Sequence, residues 1–225
     1  MKIFAHRGFS HRFPEATLQA YQGAIDAGAD GFECDLRLSK DLVLVCFHDR
    51  TTNRVGGVKR AVSRQTAAEL KKVADVLTFV ELLDLAMSAK KDLLVETKHP
   101  VRSRGKVEAE LLKLLTLKNS QIEQAGIKVT VMSFSYLAVR RAKKSYPDVA
   151  KVIKYTVDAL FNRQKKVAVN IEILRKHPGL LTRMRASDIL VWTVNERKDI
   201  AWLQKRSVDG IITDRVARAS KMLRS

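Results

Sequence analysis

The stretch that decides the fold class is Leu93-Leu94-Val95-Glu96-Thr97-Lys98, the helical pattern of residues 105–124, and then Ile127-Lys128-Val129-Thr130-Val131-Met132-Ser133-Phe134. An apolar run of strand length gives way to a helical run, then to a second apolar run rich in β-branched residues. Two strands joined by so long a crossover lie parallel, since antiparallel neighbours need only a tight turn. Downstream the alternation continues. Strands are expected at residues 149–154, 167–171, 189–194 and 210–213. Helices are expected at 136–144, after 171 through Lys176, at 196–206 and at 215–223.

Upstream, residues 2–5 read as a short buried strand. Leu18, Tyr21, Ala24 and Ile25 carry helical spacing across residues 15–27, with Gly28 as a stop signal. Residues 30–38 and 42–47 read as strands joined only by Ser39-Lys40-Asp41, so this pair must be an antiparallel hairpin. Residues 49–76 are irregular, with Gly56-Gly57 and one helical piece near 65–72. Thr78 and Glu81 form a capping-box pattern for a helix over 79–89. With the hairpin arm set aside, eight strands are each followed by a helical pattern. The fold class is therefore α/β, a (β/α)8 barrel with a small hairpin-containing insertion after the second strand, at about residues 38–76. A doubly wound open sheet is the alternative, and the lack of a Gly-rich phosphate loop after any strand counts against it.

The 225 residues, 46% hydrophobic, suit one catalytic domain spanning residues 1–225. The N-terminal apolar run is too short for a signal peptide and no segment is long enough to span a bilayer. A cytoplasmic protein without stable membrane insertion is expected. Cys34 and Cys46 are too few for a disulfide framework and are expected to be free thiols. The net charge of +18 is dispersed over several short clusters, such as Arg140, Arg141, Lys143 and Lys144, and reads as a solvated cationic surface. Aromatics make up only 6% and are not interleaved with the basic residues, so no nucleic-acid partner is expected.

The chemistry sits where strands end. Side chains two apart on a strand share a face, so Glu33 and Asp35 point together, and so do Glu96 and Lys98. His6 and Arg7 close the first strand. In a barrel these positions line the open C-terminal face, on three adjacent strands. Three converging carboxylates repel, and one divalent cation removes the repulsion; an all-oxygen set selects Mg2+ or Ca2+ over zinc. The hairpin returns His48 to about the level of Asp35. Phosphodiester cleavage needs a base for the attacking oxygen and an acid for the departing alkoxide, and two imidazoles supply both. Arg7 and Lys98 are suited to charge on the phosphoryl oxygens. His11, His99 and His177 lack comparable partners and read as structural or solvent-exposed. Trp192, on sequence alone, is either a core residue or a ligand contact.

Ordered motifs then extend across nearly the whole chain: Ala5-His6-Arg7-Gly8, Pro14-Glu15-Ala16-Thr17-Leu18, residues 28–35, Phe47-His48-Asp49, Glu96-Thr97-Lys98, Ser133-Phe134, residues 191–195 and residues 209–214. In these the chain resembles the glycerophosphodiester phosphodiesterases. The resemblance implies a barrel that hydrolyses small-molecule glycerophosphodiesters to glycerol 3-phosphate and an alcohol, within lipid and glycerol metabolism. It implies His6 and His48 as acid and base, and Glu33, Asp35 and Glu96 as ligands to Mg2+ or Ca2+. Arg7 and Lys98 become phosphate contacts, with Phe134 and Trp192 completing the substrate-binding set. A route through a cyclic phosphate, with a substrate hydroxyl as nucleophile, is also implied. Ala16 stands where that family usually has Asn, a change expected to remove a polar group near the site. Leu42 stands where it usually has Gly, Arg50 and Val216 where Pro is common, and its Arg-Thr-Thr element survives only as Arg54. Two alternatives remain: a phospholipid- or lysophospholipid-directed phosphodiesterase of the same superfamily, and a catalytically weak basic binding module.

Overall fold

The computed structural model describes residues 1–101 and 103–224. Its nine strands are β1 (Lys2–His6), β2 (Gly31–Leu38), β3 (Leu44–Cys46), β4 (Asp92–Thr97), β5 (Val129–Ser133), β6 (Val149–Ile153), β7 (Lys166–Asn170), β8 (Asp188–Trp192) and β9 (Gly210–Thr213). β1 pairs in parallel with both β2 and β9, so eight parallel strands close on themselves with helices between them, a TIM barrel. The extra strand, β3, runs antiparallel to the last rungs of β2 through Leu36↔Cys46, Arg37↔Val45 and Leu38↔Leu44. This is the expected hairpin, and it projects beyond the barrel mouth.

Alternation along each strand sorts the side chains into two cores. Outward residues such as Ile3, Phe32, Val95 and Val191 pack beneath the helices. Inward residues Phe4, Leu94, Met132, Ala150, Val152, Ala168, Leu190 and Ile212 fill the barrel. The Phe4 ring fits because Gly31 faces it: a Cβ there would lie 2.6 Å from the ring and 2.5 Å from the Asp92 carbonyl oxygen. Fully burying a side chain of this size is worth ~1.5–3 kcal/mol, so the glycine secures the floor on which the polar upper layer stands.

Local chemistry sets the element limits. The first helix begins at Leu18, three residues past the expected start, because the Thr17 hydroxyl accepts the Ala20 N–H at 3.2 Å and caps it there. At the expected capping box, Glu81 N–H donates to the Thr78 hydroxyl at 3.3 Å and Thr78 N–H donates to the Glu81 carboxylate at 2.7 Å. The single helix expected over 105–124 is instead two, Lys106–Leu117 and Asn119–Ala125. The break falls at Lys118, whose backbone (φ −95°, ψ 2°) leaves helical geometry, and Leu115 and Ile122 on either side of it are both buried. Helices Asn53–Gly56, Thr156–Leu160 and Leu180–Arg183 are too short to leave a periodicity in the sequence. Cys34 and Cys46 are buried, free thiols.

Two of the departures from the family pattern fall on left-handed backbone: Ala16 at φ 59° and Leu42 at φ 62°. Gly, and to a lesser extent Asn, occupies that region at little cost, while other side chains do so at a cost of roughly 1–2 kcal/mol. Leu42 is half-exposed at the hairpin tip, where its N–H donates to the Ser39 carbonyl. Leu42→Gly is expected to stabilise the protein by about 0.5–1 kcal/mol in urea unfolding, relief of strain outweighing the greater freedom of the unfolded chain. A loss of stability would show that the Leu42 side chain contributes more than its backbone costs.

Candidate active site

Register builds the site. His6 pairs with Glu33 across β1 and β2, and Asp35 pairs with Glu96 across β2 and β4. Glu33, Asp35 and Glu96 are all buried, and one oxygen from each lies within 4.8 Å of the others. The Lys98 ammonium bridges two of them, 2.8 Å from Asp35 Oδ1 and 2.7 Å from Glu96 Oε1. Arg7 Nε lies 2.8 Å from Asp35 Oδ2, but its N–H is not aimed at that oxygen, so the contact is ionic and both atoms are without a hydrogen bond.

Electrostatics make this cluster deficient in positive charge. Burial, then the Asp35 charge, push Glu33 up to about 7 and Glu96 up to about 8. Asp35, though also buried, is held well below the carboxylate range by Lys98 and Arg7. Two glutamates that would hold their protons near neutrality, beside a buried aspartate oxygen lacking a donor, fit one hard divalent cation. The donor set is all oxygen.

Each histidine has its own carboxylate. His6 Nδ1 lies 2.6 Å from Asp214 Oδ1, leaving Nε2 on the Glu33 side at 3.9 Å. Asp214 is fixed in turn by the Asn195 amide at 2.6 Å and the Ser10 hydroxyl at 3.0 Å. Burial pulls His6 down, but the Asp214 bond and the Glu33 charge outweigh it and leave it raised. His48 Nδ1 lies 2.7 Å from Asp49 Oδ1. Here burial dominates; the Asp35 charge only partly offsets it, while Lys98 and Arg7 add to it, and His48 is lowered. His48 is delivered as the hairpin predicts, with Phe47 N–H donating to the Asp35 carbonyl at 2.8 Å. Arg37 Nε and Nη2 then clamp the His48 carbonyl at 2.9 and 2.7 Å.

A cavity of about 270 Å³ opens above the barrel core. It is lined by His6, His48, Arg7, Lys98, Glu33, Glu96, Phe134 and Trp192, eight of the nine residues singled out from sequence. Asp35 sits behind this lining, reaching it through Arg7 and Lys98. Phe134 and Trp192 stack edge to face at 5.4 Å, and Trp192 Nε1 donates to the Ala168 carbonyl at 3.0 Å. Trp192 therefore serves both core and cavity. Ala16 does not line this cavity; its N–H donates to the Arg7 carbonyl, so it acts on the site through the backbone.

Sequence reasoning missed several participants. Lys154 and Asn170 line the far wall; continuing the two-residue alternation from Val152 and Ala168 would have found them. Asp214 and Asn195 stood in quoted motifs without a role. Glu15 and Arg54 complete a chain of ion pairs. Arg7 donates to Glu15 at 3.2 Å, Arg54 grips Glu15 at 2.6 and 2.8 Å, and Arg54 Nε holds Asp49 at 2.6 Å. No local pattern signals that link. Among the described residues His99 pairs with Glu108 away from this cavity, in keeping with a structural role.

Residues 6–218 match the model of the Glycerophosphoryl diester phosphodiesterase family. The chain belongs to that family. A probable glycerophosphodiester phosphodiesterase of Mycobacterium tuberculosis is 32% identical over 251 residues, covering 98% of this chain and 92% of the relative. The fold matches the crystal structure of a glycerophosphodiester phosphodiesterase from Thermotoga maritima with a TM-score of 0.81 and 24% identity, over 99% of this chain and 98% of that one. A phosphodiesterase from Oleispira antarctica, solved with its product sn-glycerol-3-phosphate, gives a TM-score of 0.84 at 19% identity, over 100% and 97% of the two chains.

The carboxylate cluster generates a stability test. Saturating Mg2+ or Ca2+ added to chelator-treated protein is expected to raise Tm by roughly 5–10 °C at a hundredfold excess over the dissociation constant. Asp35→Asn is expected to abolish that shift. An equal shift in the variant would place the cation elsewhere.

Proposed function

We propose that the chain hydrolyses small glycerophosphodiesters to sn-glycerol 3-phosphate and an alcohol, with one Mg2+ or Ca2+ held by Glu33, Asp35 and Glu96 and with His6 and His48 as the acid–base pair. The observation that carries this reading is the convergence of two carboxylate-oriented imidazoles, three buried carboxylates and two cations on one cavity. A cation in that triad would supply Lewis-acid neutralisation of phosphoryl charge.

The chain's own groups do the rest. Arg7 and Lys98, which both line the cavity, would take the phosphoryl oxygens, the guanidinium as a planar cation and the ammonium as a point charge. One imidazole removes the proton of the substrate hydroxyl that attacks phosphorus and the other protonates the departing alkoxide, leaving a cyclic phosphate. Water then opens that ring with the two imidazoles in exchanged roles, which yields glycerol 3-phosphate and returns each histidine to its starting state. Asp214 and Asp49 fix the Nδ1 side of each ring, turning Nε2 to the substrate. The apolar wall of Phe134 and Trp192 excludes water from one side and strengthens these charges.

A specific observation favours lysophospholipids as further substrates. Tyr155, Val157, Leu160 and Phe161 are all more than half exposed and directly follow Lys154 of the cavity wall. No helix among the described residues is long and apolar enough to cross a membrane, so this reading involves contact at a lipid surface only.

Glycerol 3-phosphate release from glycerophosphocholine is expected with Mg2+ or Ca2+ and is expected to vanish in excess chelator. His6→Ala and His48→Ala should each lower kcat by about 10²–10⁴-fold. Turnover that persists in chelator, or in both variants, would overturn the mechanism. Cleavage of lysophosphatidylcholine without cleavage of glycerophosphocholine would shift the reading to the lipid substrate.

A further inference from the structure

A larger cavity, about 340 Å³, lies beside the first, between the hairpin, residues 61–64 and the loop following β4. Arg37, Lys40, Arg50, Arg64 and Lys106 all face it, and none of its fourteen lining residues is acidic. Among the described residues none of these five cations is in an ion pair; most lysines and arginines of this basic chain are likewise unpaired, and what sets these five apart is that they share one concavity. The carboxylates whose charges reach Arg37 are already engaged: Asp35 by Arg7 and Lys98, Glu96 by Lys98, and Asp49 by His48 and Arg54. Asp41, beside Lys40, accepts from the Ser39 hydroxyl at 2.6 Å and the Ala67 N–H at 3.0 Å.

Cations gathered around one concavity repel each other and focus a positive field into it. Arg50 and Arg64 offer planar forks that match phosphate oxygens in pairs, while Arg37, whose Nε and Nη2 hold the His48 carbonyl, adds its charge. The cavity exceeds what a single phosphate fills, and five charges exceed what one phosphate balances.

We propose that this cavity is a second binding site, for a ligand carrying two or more phosphoryl groups. Arg37 joins it to the first cavity, since the guanidinium that lines it also holds the His48 carbonyl with two hydrogen bonds. A bound anion therefore acts on the position of His48. The ligand is either the phosphorylated alcohol of a glycerophosphodiester substrate or a free polyphosphorylated anion, and the recognising chemistry is the same. Only the choice between these sources rests on the proposed hydrolysis; the site itself does not.

The test titrates inorganic pyrophosphate calorimetrically into chelator-treated wild type, into Arg64→Ala/Lys106→Ala, and into Arg140→Ala/Lys144→Ala as an equal loss of exposed charge elsewhere. Binding in wild type and in the Arg140/Lys144 variant, weakened tenfold or more in the Arg64/Lys106 variant, is the expected result. Equal binding in all three, equal weakening in both variants, or no binding in wild type would overturn the site. Kinetics then assign the source. Selective loss of kcat/KM in the Arg64/Lys106 variant on a glycerophosphodiester with a phosphorylated alcohol, with glycerophosphocholine unaffected, identifies a head-group subsite. Equal rates on both substrates identify a site for a free anion. Absence of turnover by wild type would refute the proposed hydrolysis and leave the binding result standing.

Discussion

The pairing of Asp35 with Glu96, one strand away from the pairing of His6 with Glu33, is the constraint on which the rest of the molecule depends. Strand register moves in whole residues, and a slip of one would turn every inward side chain to the helix layer. Glu33, Asp35 and Glu96 would then sit beneath helices and Phe32, Cys34 and Val95 would enter the barrel. The same register that fills the floor with Phe4, Leu94 and Ile212 therefore gathers the carboxylates above it. Fold and site are one choice. Keeping three acids so close is costly, as the raised Glu33 and Glu96 show, and the apolar core beneath them supplies the stability that permits it.

The second constraint is the path of the insertion. His48 belongs to an arm outside the barrel, and two devices bring it back. Phe47 bonds to the Asp35 carbonyl in the hairpin ladder, and Arg54 links Asp49 to Glu15, which also receives Arg7. The arm is thus tied to the first loop of the barrel by charge and to the second strand by backbone. Among the described residues Arg54 carries the charged tie from the insertion side.

Much of this was legible in the sequence, because strand chemistry has period two and leaves a trace in every pair of polar residues at a strand end. Glu33/Asp35 and Glu96/Lys98 declare their shared face, and a turn of only Ser39-Lys40-Asp41 declares the hairpin. What was not legible depends on three dimensions. Arg54 meets Glu15 across 39 residues and His6 meets Asp214 across 208, with no spacing rule to announce either contact. The break at Lys118 leaves no trace in the periodicity either, because Leu115 and Ile122, seven residues apart, read as one face of a continuous helix. Likewise the charge of +18 reads as dispersed along the chain, while folding gathers Arg37, Lys40, Arg50, Arg64 and Lys106 around one cavity.

The central claim is that register creates a single cation site from Glu33, Asp35 and Glu96. Anomalous diffraction from crystals soaked in Mn2+, used as a hard, oxygen-seeking stand-in for Mg2+ or Ca2+, tests it most directly. The account predicts one strong peak at bonding distance from an oxygen of each of the three carboxylates. A peak coordinated elsewhere, or none in a soaked crystal whose carboxylates remain bridged only by Lys98, would contradict it.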